Sequence, residues 1–64
     1  MKHAEADYIN AGYWYEKATT PAKARAVAET IRHMIQSEAL DDQTDARYLI
    51  ERGRREAQQE ASHV

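Results

Sequence analysis

Residues 20 to 39, with the sequence TPAKARAVAETIRHMIQSEA, carry the clearest structural pattern in the chain. Thr20 can accept a hydrogen bond from a free backbone N–H at a helix start, and Pro21 fits the first helical position because no bond is lost there. At 100° per residue the apolar side chains fall in one stripe that is roughly 140° wide. That stripe consists of Ala24, Val27, Ala28, Ile31, Met34, Ile35 and Ala39. We therefore predict an amphipathic helix with Ile31 and Ile35 buried and His33 exposed.

A helical pattern also precedes this stretch, over residues 4 to 18. Apolar and aromatic residues recur there at spacings of three and four, at Ala4, Tyr8, Ala11, Tyr15 and Ala18. Gly12 interrupts the pattern and costs about 1 kcal/mol relative to alanine in a helix. The same glycine could instead allow another helix to approach closely, because it has no side chain.

A third pattern follows, and Asp41 or Asp42 is predicted to cap a helix over residues 42 to 58. Its predicted inner face holds Ala46, Leu49, Ile50, Gly53 and Ala57. The fold class predicted from the three segments is all-α. We expect two to three helices, at about 4-18, 20-39 and 42-58, in a small hairpin or bundle, with the central segment as its organising element.

Length and composition limit the classes of protein that fit. The chain has 64 residues, no cysteine and a net charge of −2, so we predict a single domain over residues 1–64 with frayed ends. No apolar run approaches the length needed to span a bilayer, which predicts a cytoplasmic protein without a membrane partner. Small domains without disulfides are often stabilised by oligomerisation, so a homodimer is expected.

Residues suited to catalysis do not cluster in the sequence. His3, His33 and His63 lie far apart, and none has a second metal ligand at helical spacing. The two glycines are 41 residues apart, so a glycine-rich phosphate-binding loop is excluded. We therefore predict no catalytic residue, no metal site and no cofactor, and a protein that is not an enzyme.

Two groups of charged residues allow alternative interpretations. Acidic residues cluster at the predicted second turn, at Glu38, Asp41, Asp42 and Asp45. They form either an acidic patch for a basic partner or a weak cation site, or they serve as helix caps and compensate the helix dipole. Arginines are concentrated in the third helix, at Arg47, Arg52, Arg54 and Arg55. Contact with DNA phosphates is the alternative function for that helix, but the interleaved glutamates favour a salt-bridged surface without nucleic acid.

Aromatic residues in the first helix suggest where a partner binds. Tyr8 and Tyr15 share one face, whereas Ile9, Tyr13 and Trp14 point in other directions that one neighbouring helix cannot cover. Tryptophan and tyrosine are frequent anchors of protein–protein contacts. We assign Ile9, Tyr13, Trp14 and Tyr48 to a predicted interaction surface that serves self-association, a protein partner of unknown identity, or both. The alternative is that the third helix covers Trp14 and leaves Ile9 and Tyr13 singly exposed, which would need no partner.

Two resemblances bear on this interpretation. The spacing of Tyr8, Ala11, Gly12, Tyr15, Ala24, Ala28 and Ile31 resembles the helix pair of a single tetratricopeptide repeat over residues 5 to 38, which we interpret as convergent helix-hairpin packing. In its size, its lack of cysteine and its segment from residue 8 to 15, the whole chain resembles the small helical accessory proteins of lambdoid phages. The second resemblance implies a phage-encoded regulator that acts by protein contact.

Overall fold

Three α-helices make up the chain in the computed structural model, which describes residues 3–61. Helix α1 spans Glu5–Lys17, α2 spans Pro21–Gln36 and α3 spans Leu40–Ala61. No strand occurs within residues 3–61, and the prediction of a small all-α bundle is confirmed.

The ends of α2 follow the local sequence. The Thr20 hydroxyl oxygen accepts a hydrogen bond from the Lys23 backbone N–H at 3.2 Å, and Pro21 is the first helical residue, as predicted. Ser37 caps the other end and donates its backbone N–H to the His33 carbonyl at 3.1 Å. The helix therefore stops three residues before the predicted end at residue 39.

The predicted start and end of α3 were wrong. The helix begins at Leu40, so Asp41 and Asp42 lie inside its first turn rather than at a cap. Their charge is still favourable there, because the positive end of the helix dipole attracts carboxylates. At the other end α3 continues to Ala61, past the predicted end at residue 58, and the last three residues of the chain lie outside the described range.

Helix α1, rather than α2, is the centre of the bundle, which corrects the sequence-based prediction. It packs along α3 over most of its length and along α2 more locally, whereas α2 and α3 touch little. Gly12 and Gly53 explain why α1 pairs so closely with α3. A Cβ on Gly12 would overlap the Ile50 carbonyl group, and a Cβ on Gly53 would overlap the Ile9 carbonyl group. Two helix backbones therefore cross almost in contact, as the absence of a side chain on both glycines allows.

The core is small and lies mainly between these two helices. It contains Tyr8, Met34, Ala46 and Ile50, all less than 9% exposed. The predicted inner residues of α3 are buried, apart from Leu49, which is half-buried.

Helix α2 contributes less to this core than its pattern suggested. Met34 is its one buried residue, while Ile31 and Ile35 are only half-buried, so the prediction that both are buried was wrong in degree. His33 is exposed, as predicted. The Cα atoms extend over 39 × 23 × 14 Å along the principal axes, so the bundle is flattened. Because α2 and α3 touch little, the apolar stripe of α2 is covered mainly by α1. Among the described residues no helix is both long and apolar enough to span a bilayer.

Candidate interaction surface

An open groove runs between α1 and α2 on the side of α1 that faces away from α3, and Trp14 lies in its middle. Trp14 is 60% exposed, and the half-buried Val27 of α2 lies across the groove from its indole. These two residues divide the groove into two depressions of about 410 and 370 Å³. The first is also lined by His3, Asp7, Asn10, Ala11, Thr30 and Met34, and the second by Lys17, Ala18, Thr19, Lys23 and Ala26. We call Trp14, Val27 and these lining residues the Trp14 groove.

The close crossing of α1 and α3 determines which residues of α1 face the groove. Gly12 lies against α3, and a residue two positions further along a helix points about 200° away. Trp14 therefore points away from α3 and cannot be covered by it. The stripe of Asp7, Asn10, Trp14 and Lys17, at spacings of three and four, lies along the groove.

The two ends of the Trp14 groove carry opposite charges. Asp7 lies at one end, and neither it nor exposed Lys23 at the other end forms an ion pair within residues 3–61. Lys17 lies at the same end as Lys23, with its Nζ atom 2.9 Å from the Glu60 carboxylate. The hydrogen bond to Glu60 raises the pKa of the Lys17 ammonium group.

Tyr13 connects the groove to the end of α3. Its hydroxyl donates a hydrogen bond to the Glu60 carboxylate at 2.5 Å, which raises the pKa of the phenol and lowers that of Glu60. Its ring lies edge-to-face with Trp14 at a centroid distance of 5.2 Å, and the Lys17 ammonium lies 5.3 Å from the same ring. These contacts hold the indole of Trp14 from one side while its other side faces solvent.

The structure does not bring all four residues of the predicted interaction surface together. Tyr13 and Trp14 are in contact, but Ile9 is half-buried and its carbonyl group lies against Gly53 of α3. Tyr48 is 61% exposed on α3 and lines neither depression of the Trp14 groove. Of the four predicted interaction residues, Trp14 alone lines the Trp14 groove.

Glu38 does not belong to an exposed acidic patch, because it is only 8% exposed. Its carboxylate accepts hydrogen bonds from the Tyr8 hydroxyl and from the His3 backbone N–H, the latter at 3.1 Å. Burial raises the pKa of Tyr8, and the hydrogen bond to Glu38 raises it further. Asp41 and Asp45 are exposed, while Asp42 is half-buried. Asp42 and Asp45 line the same depression as Tyr8 and Glu38.

The arginines of α3 are used largely within the molecule. Arg54 contacts Glu16 of α1 at 2.6 Å and Glu51 at 2.8 Å, and the hydrogen bond to Glu16 raises the pKa of its guanidinium. The same guanidinium lies 5.3 Å from the ring centroid of Tyr15. Arg52 lies 3.8 Å from Glu56. Arg54 therefore fastens α3 to α1.

Two of the four arginines remain without such partners. Arg47 and Arg55 form no ion pair within the described residues. Arg47 lines a shallow depression between α2 and α3 together with Ile31 and Ile35. Because Arg52 and Arg54 are paired with glutamates, only two of the four guanidinium groups of α3 are without a carboxylate partner among the described residues.

Sequence reasoning missed the α2 side of the Trp14 groove. Val27 was assigned to the buried stripe of α2, and Lys23 and Thr30 received no role. The usable signal was the stripe of Asp7, Asn10, Trp14 and Lys17, whose spacing of three, four and three defines a second face of α1. The helix-pair geometry that directs this face toward α2 is not encoded in that spacing.

Within residues 3–61 no three histidine, aspartate or glutamate side chains are placed to hold a metal ion together. No protein-family model, curated protein or solved structure matches the chain.

Proposed function

We propose that this protein is a non-catalytic interaction module that acts through protein–protein contacts and forms a homodimer. The observation that carries the proposal is Trp14, which is 60% exposed between two depressions lined mostly by apolar atoms. Aromatic anchors next to apolar depressions are typical of the energetically dominant residues of protein interfaces. A phage origin and a regulatory role remain predictions from resemblance.

The low burial of α2 supports the same proposal. Val27, Ile31 and Ile35 carry large apolar side chains and are only half-buried in the single chain. Covering such side chains gains roughly 25 cal/mol for each Å² of apolar surface removed from water. Burial of these side chains against a second chain would therefore favour association.

DNA binding through α3 is the alternative function, and the unpaired Arg47 and Arg55 favour it. Binding that depends on phosphate contacts weakens steeply as salt increases, with a slope that scales with the number of contacts. If α3 binds DNA, Arg47→Gln and Arg55→Gln will each reduce that slope. If protein contact is the function, both variants will keep the partner binding of the wild type.

Sedimentation velocity of wild type and Trp14→Glu tests the main proposal. We expect a concentration-dependent dimer for the wild type and a monomer for Trp14→Glu, because a buried carboxylate in place of the indole is strongly disfavoured. Leu40→Glu is the matched control, since Leu40 is 80% exposed and lies outside the Trp14 groove. A wild type that stays monomeric at high micromolar concentration, or a dimeric Trp14→Glu variant, would contradict the proposal.

A further inference from the structure

We infer that the occupant of the Trp14 groove is a second copy of this chain, placed with the two α1 helices antiparallel so that Asp7 of each copy faces Lys17 of the other. This inference rests on the proposed function and adds to it the orientation of the dimer. The proposed function requires only a homodimer that covers Trp14, in whatever orientation the two copies meet.

The spacing of groove residues on α1 is symmetric under reversal. Asp7, Asn10, Trp14 and Lys17 are separated by three, four and three residues. An antiparallel copy centred on position 12 therefore places 7 opposite 17 and 10 opposite 14. With a rise of 1.5 Å per residue, the two charged ends lie about 15 Å apart, so both charge pairs form in the same register.

Charge decides between the antiparallel and parallel orientations. In a parallel pair Asp7 would face Asp7 and Lys17 would face Lys17, and like charges at a contact are repulsive. In the antiparallel pair each aspartate, which has no ion pair within residues 3–61, meets an ammonium group. Lys17 can serve both partners because an ammonium has three N–H donors and Glu60 occupies part of them.

Shape supports the same register. Trp14 of one copy faces Asn10 of the other, which lines the larger depression together with Ala11 and Met34. Each indole can therefore enter the depression of the opposite copy, and the two-fold symmetry buries both at once. A standard interface covers about 800 Å² per partner. That is roughly a sixth of the 4850 Å² surface of this chain, and α1 and α2 together present one side of it.

Two variants, each with one reversed charge, test the antiparallel register. Asp7→Lys places lysine against Lys17 at both symmetric contacts, and Lys17→Asp places aspartate against Asp7 at both. We expect each variant alone to dimerise roughly tenfold more weakly than the wild type, since two rim contacts become repulsive. An equimolar mixture of the two variants is expected to recover the affinity of the wild type, because each contact then pairs opposite charges.

Two controls separate the contact from effects within one chain. Glu5→Lys reverses another first-turn carboxylate of α1 that lies outside the Trp14 groove, so it should leave dimerisation unchanged. Glu60→Gln removes the partner of Lys17 within the chain and should also leave the dimer intact. Circular dichroism checks that each variant keeps its helices.

The outcomes distinguish the register from the proposed function. Weakening of each variant alone, with recovery of the wild-type affinity in the mixture, measured by sedimentation equilibrium, supports the antiparallel register. In a parallel pair the single variants would bind no more weakly than the wild type, and the mixture would bind more tightly than it, which would overturn the register. If the mixture stays as weak as its components while Trp14→Glu is monomeric, the register is overturned and the proposed function stands. If the wild type itself is monomeric, both fail.

Discussion

Gly12 and Gly53 are the residues on which the α1–α3 pair depends. Glycine in a helix interior costs about 1 kcal/mol relative to alanine, so each is locally unfavourable. Both are tolerated because the opposing backbone occupies the space that a Cβ would need, with the Ile50 carbonyl carbon 2.8 Å from such an atom at position 12. Here the tertiary contact outweighs helix propensity.

Substituting either glycine by alanine is therefore expected to lower the unfolding free energy, although alanine is the better helix former. Propensity alone would make Gly12→Ala and Gly53→Ala more stable by up to about 1 kcal/mol. We expect both variants instead to lose at least about 1–3 kcal/mol of unfolding free energy, because the helices must separate to admit the methyl group. Urea denaturation measures the change, with Gln58→Ala on the exposed face of α3 as control. Stabilised glycine variants would show that the two backbones are not in close contact.

Ionisation of Tyr8 is expected to lower the stability of the protein at alkaline pH. Its pKa is raised in the folded state by burial and by Glu38, whereas the unfolded chain has the ordinary value of about 10. The stabilising contribution is therefore complete below pH 10 and decreases above it by about 1.4 kcal/mol per pH unit until the folded-state pKa is reached.

The variant Tyr8→Phe tests this dependence. It lacks the ionisable hydroxyl, so it should be less stable at neutral pH by about 1.5–3 kcal/mol, because the lost hydrogen bond is to the buried Glu38 carboxylate. Its stability should then fall less steeply than that of the wild type above pH 10. Tyr13 and Lys17 also have raised pKa values and contribute to the alkaline slope in both proteins, so the difference between the two curves is the quantity to measure. Parallel curves would contradict the role of Tyr8.

At the scale of the elements, α2 is attached to the bundle through its C-terminal half, where Met34 belongs to the core and Ile31 and Ile35 pack against it. Met34 is 6% exposed, whereas Ile31 is half-buried. We expect Met34→Ala to cost about 2–5 kcal/mol, the range for deletion of a buried side chain, and Ile31→Ala to cost less than about 2 kcal/mol.

Thermal unfolding of the two variants at one fixed protein concentration compares these costs directly. The hydrophobic stripe on its own favours a larger loss for Ile31, because isoleucine lies at its centre. An Ile31→Ala loss equal to or above that of Met34→Ala would mean that α2 packs more deeply than the structure shows.

The existence and type of each helix could be predicted from sequence, because periodicity and the Thr20–Pro21 start are local signals. Which helix lies at the centre of the bundle could not be predicted. Helix α2 has the most regular stripe, yet α1 lies at the centre, since the contact that decides this is the meeting of Gly12 and Gly53, residues 41 apart in the chain. The exposure of Trp14 was predicted only as one of two outcomes, because it depends on which side of α1 receives α3.

At the scale of the whole molecule, the bundle is a flattened body with a small core. The α1–α2 side is open, and the Trp14 groove lies on that side. Domains of this size bury only about 60% of the surface of the unfolded chain, so covering the groove in a dimer would add stability as well as function. The unfolding midpoint should therefore rise with protein concentration in the wild type and stay constant in Trp14→Glu, as mass action requires.

Fluorescence of Trp14 during dilution shows whether association of two chains covers this side chain. The chain has one tryptophan, so the emission reports the Trp14 groove alone. We expect that dilution from high to low micromolar concentration shifts the emission to longer wavelength and increases quenching by acrylamide, with the same midpoint as dimer dissociation in sedimentation. Emission and quenching that stay constant across a dilution range in which the dimer dissociates would contradict this expectation.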